Sequence, residues 1–127
     1  MNINDNCLNW FEIPVEDLQR AKYFYQKIFS VEMSEDTMMG MRMAFFPSEH
    51  GNGKVGGALV KSEMHKPNTE GVLVYLNANP DVSVVLEKIE EEGGIILMSK
   101  TLLTPEAGYI AMFLDPEGNR IALHSYH

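Results

Sequence analysis

The chain is poor in cysteine, in basic residues and in long apolar runs, and each shortage excludes something. Cys7 is the only cysteine, so no internal disulfide can form. It reads as a small buried apolar side chain in a protein of a reducing, cytoplasmic compartment. Ten Lys and Arg stand against eighteen Asp and Glu, a net charge of −8. With no basic cluster, that balance argues against nucleic acid and anionic membrane surfaces as partners. No apolar stretch reaches the length of a membrane span, and residues 1–6 lack the charged-then-apolar order of a secretory signal. Tryptophan is scarce too: Trp10 is alone. What remains is an ordinary globular composition, 45% hydrophobic over 127 residues, enough for one compact unit or two small modules sharing a core.

The clearest local signal is near the end. An apolar run from Tyr109 to Leu114 enters Asp115-Pro116-Glu117-Gly118-Asn119, and a second run, Arg120 to Ser125, leaves it. Pro116 presets φ for a turn and Gly118 supplies a positive φ, so the spacing predicts a β-hairpin. Earlier, Leu8 to Val15 reads as a strand, with Phe11, Ile13 and Val15 on one face and Trp10 and Glu12 on the other. Asp17 is a suitable N-cap for a helix over Leu18–Phe29. Strands are expected near Val31–Met33, Met41–Phe46 and Val55–Val60, and residues 62–71 read as a polar linker. The pattern then repeats. It gives a strand over Val72–Ala78, a helix from Val82 to about Glu92 capped by Asp81, a short strand over Ile95–Met98, a loop to Glu106, and the hairpin.

The repeat is positional. Asp17 and Asp81 stand 64 residues apart, and Leu18, Ala21 and Tyr25 map at that shift onto Val82, Val85 and Ile89. Each half is strand–helix–strand–strand–strand, about 7–61 and 72–126. One helix cannot cover both faces of a four-stranded sheet. The expected architecture is therefore α+β, two βαβββ modules sharing a core and leaving a concave sheet surface.

Taken in order, Trp10 to Asp17, Ala21 to Phe29, Leu86 to Gly94, and Gly108 with Asp115 to Asn119 resemble the vicinal oxygen chelate superfamily of glyoxalases, bleomycin-resistance proteins and extradiol dioxygenases. The resemblance covers nearly the whole chain. It implies paired modules curled around a cup, with four inward positions that in the family's enzymes hold a divalent metal through His, Glu or Gln. Carried over position by position, those places read Trp10, Gly57, Leu73 and Ala122. None offers a side-chain lone pair of the kind such metals take, so no metal and no cofactor is expected.

Strand alternation gathers further residues into the expected cup. Glu12 and His124 are candidate acid and base; Trp10, Leu59, Leu73, Tyr75, Asn77, Arg120 and Ala122 are candidate ligand contacts. The plainer alternative is a network of polar side chains that satisfy one another. Met33, Met38, Met39, Met41 and Met43 form either an adaptable wall over an apolar ligand or ordinary core filling with a dimer interface. Two functions stay open. One is a metal-free binder of a small apolar or aromatic molecule, acting as a homodimer. The other is a lyase, isomerase or dioxygenase-like enzyme using a relocated metal or the Glu12/His124 pair.

Overall fold

The computed structural model describes residues 1–127. Eight strands and two helices form two four-stranded sheets. The first module comprises β1 (Trp10–Pro14), α1 (Leu18–Phe29), β2 (Ser34–Met38), β3 (Met41–Phe45) and β4 (Gly56–Lys61). The second comprises β5 (Tyr75–Asn77), α2 (Val82–Ile89), β6 (Ile95–Thr104), β7 (Gly108–Leu114) and β8 (Arg120–Ser125). The sheets have equivalent orders, β1-β4-β3-β2 and β5-β8-β7-β6. In both, the first strand pairs parallel with the last and the other pairs are antiparallel. The mixed sheets are those expected of paired βαβββ modules, and neither closes into a barrel.

Helix α1 begins where its cap dictates. Asp17 is extended, and its carboxylate accepts from the Arg20 amide at 3.0 Å. The helix ends at Ser30, whose left-handed backbone (φ 53°) stops propagation. Leu18, Ala21, Phe24, Tyr25 and Ile28 are buried along one stripe. Helix α2 repeats the device: Asp81 accepts from the Ser83 amide at 2.8 Å, and Val82, Val85 and Ile89 face inward. Both stripes enter one core with Ile13, Leu59, Leu76, Phe113, Ile121 and Leu123. Each such large side chain contributes about 1.5–3 kcal/mol by leaving water, so the modules are joined by a shared interior.

The DPEGN turn holds the modules together with polar bonds. The Asn119 Nδ2 donates to the Pro14 carbonyl at 2.7 Å. Glu117 accepts from the backbone amides of Glu16 and Asp17 and from the Arg20 guanidinium. Thus the turn of the second module serves the otherwise unpaired amides just before the first helix.

Several expectations need correction. Cys7 is exposed, because residues 1–9 precede β1 and are not covered by the core. The second strand is Ser34–Met38 rather than Val31–Met33; it is an exposed edge strand with no apolar alternation to mark it. Strand β6 runs on to Thr104 through irregular pairing with β7, where a loop was expected after Met98. Helix α2 ends at Ile89, three residues short of Glu92. No helix is long and apolar enough to cross a membrane.

Candidate functional site

The face of each sheet turned away from the helices is set by strand parity. In β1, Ile13 is buried in the core and Phe11 packs against it, so Trp10 and Glu12 point the other way. Leu76 likewise turns Tyr75 and Asn77 outward from the helices, and Ile121 and Leu123 do the same for Ala122 and His124. The cup face of the first sheet carries a small apolar cluster, Met43, Ala58 and Val60, flanked by Met41 and Phe45. Trp10 lies against it, its ring 6.1 Å from that of Phe45, and stays 39% exposed.

Glu12 is the polar centre of this surface. One carboxylate oxygen accepts from the Trp10 indole at 3.2 Å, and the other meets His65 Nε2 at 2.8 Å. The second ring nitrogen of His65 lies 2.6 Å from the Ser62 hydroxyl. The chain Ser62–His65–Glu12–Trp10 thus orients both oxygens of one half-exposed carboxylate beside an indole and a phenyl ring. Such an arrangement can accept a hydrogen bond from a bound molecule or relay a proton through the imidazole.

The sequence pairing of Glu12 with His124 is not formed. His124 belongs to the other sheet, opposite Asn77, where its Nε2 meets the Ala107 carbonyl at 2.5 Å and its ring abuts Tyr126. No hydrogen bond links it to Glu12. The histidine that does reach Glu12 was missed because it lies in the polar 62–71 segment. The local signal for it is Ser62 three residues before His65, a spacing that folds back on itself through a Ser62–His65 bridge.

Other candidates sort by face. Leu59 is not in the cup. It pairs with Ile13 and is fully buried in the helix-side core, so alternation places it opposite to its expected direction. Tyr75 is half exposed, and Leu73 is partly buried beside it in sequence. Asn77 is turned to local use, accepting from the Asn79 amide at 2.9 Å. Arg120 is exposed at the start of β8 and Ala122 is fully buried opposite Tyr75. The methionines divide: Met33 is in the main core, Met43 and Met41 are on the cup face, and Met38 and Met39 are exposed at the β2–β3 tip.

Gly57 is also displaced from its expected role. A Cβ there would lie 2.3 Å from the Phe11 ring, on the helix side. Glu12 pairs with Ala58 as Tyr75 pairs with Ala122, so Ala58 is the cup-facing equivalent of Ala122. Of the places the resemblance implies for a metal, the one on β4 therefore falls at Ala58 rather than Gly57, and neither side chain is a metal donor. No three His, Cys, Asp or Glu side chains gather elsewhere in a metal-holding group.

The family model described as Glyoxalase/Bleomycin resistance protein/Dioxygenase superfamily matches residues 7–123. Among solved structures, the chain is similar to a glyoxalase/bleomycin resistance protein from Streptomyces sp. CB03234, at 25% identity and TM-score 0.64 over 93% of this chain and 99% of that one. It is similar to TnmS3, described as an antibiotic binding protein from the same source, at 23% identity and TM-score 0.62 over 98% of both chains. A variant of glyoxalase I from Zea mays aligns at 19% identity and TM-score 0.67, over 93% of this chain and 46% of that one. A search of curated proteins finds no match.

Proposed function

Because this chain belongs to the Glyoxalase/Bleomycin resistance protein/Dioxygenase superfamily, we propose that it binds a small apolar or aromatic molecule in the cup and does so without a metal. What supports this reading is that the places where the resemblance expects metal donors read Trp10, Ala58, Leu73 and Ala122, side chains with no suitable donor. The half-exposed indole of Trp10 offers a stacking surface, and Glu12 beside it accepts a hydrogen bond. The description of the Streptomyces protein TnmS3 as antibiotic binding is in keeping with this. We read residues 1–127 as one functional unit that pairs as a homodimer, since β2 and β6 leave open sheet edges and Met38, Met39 and Leu102 are exposed.

Intrinsic fluorescence tests the reading, because Trp10 is the only tryptophan. Titration with a panel of aromatic and apolar antibiotics is expected to quench or shift its emission. Quantifying the same complex by calorimetry, Trp10→Ala weakens it. One tightly held divalent ion per chain after incubation with nickel, zinc, manganese and iron would overturn the metal-free part.

A second reading rests on the Glu12–His65 contact of 2.8 Å. If the chain is an enzyme, these two residues, and not Glu12 with His124, are its acid–base pair. Turnover abolished by Glu12→Gln and by His65→Ala, but untouched by His124→Ala, would favour it.

A further inference from the structure

We propose that the chain carries a second binding site on the helix side, in the groove between the modules, and that this groove takes a small apolar carboxylic acid. It is lined by the helix side of β1, through Phe11, and by β5, an edge strand whose Tyr75 and Asn77 also border it. The groove has a volume of about 670 Å³, within the range of sites for small organic ligands. Phe11, Phe29, Phe46, Val74, Leu76 and Val85 supply much of its apolar lining.

The groove arises from broken symmetry. At the β1–α1 junction, the DPEGN turn of the second module is bonded through Glu117 and Asn119. The equivalent place on the other side is the β5–α2 junction. There the β3–β4 loop of the first module brings Pro47 and Val55 to the rim of an open groove, and no hydrogen bond joins that loop to Asn79, Pro80 or Asp81. One junction is filled by protein; its counterpart is a cavity with an apolar lining.

The charged groups decide the ligand. Asp81 caps α2 and Lys88 lies in its last turn, so the two stand at opposite ends of the helix. Both line the groove. One oxygen of the Asp81 carboxylate, Oδ1, already accepts from the Ser83 amide and from Lys100 at 3.0 Å. The Lys88 ammonium has one partner, the Ser30 hydroxyl at 2.7 Å, and an ammonium carries three donors. Lys88 is the only cationic side chain of the lining. An apolar body along Val85 and Phe29 with a carboxylate at Lys88 satisfies both ends, whereas at Asp81 the Lys100 ammonium already offsets the carboxylate charge.

The test uses the full chain labelled for amide NMR and titrated with octanoate, 1-naphthoate and octanol. Expected are shifts at Val84, Val85 and Lys88 with both acids, while Trp10 emission is unchanged. Lys88→Met should weaken the acids about tenfold, the worth of one charge-assisted hydrogen bond, and leave octanol unaffected. Val84→Trp, at a half-exposed lining position, should fill the groove and abolish binding with the circular dichroism spectrum intact. Absence of groove shifts at millimolar acid overturns the proposal, as does equal binding of octanol and octanoate with no effect of Lys88→Met. Concentration-dependent shifts at the same amides without ligand, with a dimer mass lost in Val84→Trp, would make the groove an interface between copies and overturn it as well. Quenching of Trp10 by the acids would assign them to the cup instead.

Discussion

The hydroxyl of Tyr25 donates a 2.7 Å hydrogen bond to Asp115, ninety residues further along the chain and fully enclosed with it. The same carboxylate accepts from the amides of Glu117 and Asn119, each at 2.9 Å. Helix α1 is thus tied to the turn of the last hairpin inside the core. Tyr25→Phe removes one partner of a buried carboxylate and should cost about 2 kcal/mol. Urea unfolding monitored by circular dichroism measures it.

The same pair gives stability a pH dependence of definite sign. Burial, then the Asp115 charge, raises the Tyr25 pKa well above the ordinary 10.0. The folded state therefore keeps a proton that the unfolded chain loses, and stability falls as pH climbs above 10.0. Burial also raises Asp115 above 3.8, against the hydrogen bonds it accepts, so its ionisation subtracts from stability as pH rises past that value. Asp81 acts oppositely. The Ser83 amide and Lys100 lower it to about 2, so its contribution is present above 3.8 and is lost as pH falls toward 2. Urea midpoints across pH should show the alkaline decline, and Tyr25→Phe should flatten that arm.

Glu117 has a buried side chain serving an exposed arginine and two amides. Glu117→Ala leaves those amides without their partner and should cost about 2–3 kcal/mol, whereas Arg20→Ala should cost about 1 kcal/mol or less, its head being largely in water. A denaturation series that ranks Arg20→Ala above Glu117→Ala would contradict the assignment of the amides as the main term.

The two neighbouring glycines of β4 should respond unequally to alanine. At Gly57 the added carbon meets the Phe11 ring at 2.3 Å, and that ring lies among core residues. At Gly56 the nearest atom is the Ser48 hydroxyl at 2.6 Å, the end of a small side chain in an exposed loop. Gly57→Ala should cost about 1–3 kcal/mol through overpacking, and Gly56→Ala less. Thermal melts of the two variants decide the order.

Histidine substitutions separate the two sheets. His65→Ala frees one oxygen of Glu12, whose other oxygen holds the Trp10 indole, so Trp10 emission should shift. His124→Ala removes a contact to Ala107 on the other sheet and should leave the emission alone. Equal effects from both variants would argue against the separation.

These residues also mark what the sequence discloses. The bounds of α1 follow from Asp17 and the Leu18–Ala21–Tyr25 stripe, because a cap and a periodic face are local signals. Parity could be read for β1, β5 and β8 because Ile13, Leu76, Ile121 and Leu123 give each strand a buried face to set its direction. Leu59 and Gly57 failed for the opposite reason. Residues 56–60 of β4 are buried whichever way they point, so alternation leaves no trace there. The exposed edge strand β2 failed likewise, with no buried face at all. The Ser62–His65 spacing signals a local turn, but the contact of His65 with Glu12 spans 53 residues, and no local signal reaches that far.

The dependence of α1 on Glu117 has a consequence for how the protein is made. The amides of Glu16 and Asp17 find their acceptor 101 and 100 residues later, and the Pro14 carbonyl finds its donor 105 residues later. On a ribosome, the whole first module emerges before the residues that complete its helix start have been joined to the chain. Until then those backbone groups face water and the core stripe of α1 lacks Phe113 to lie against. The first module must therefore wait, partly open, for the last one, and a nascent chain stalled before Asp115 is expected to remain a client of chaperones and proteases rather than a finished half.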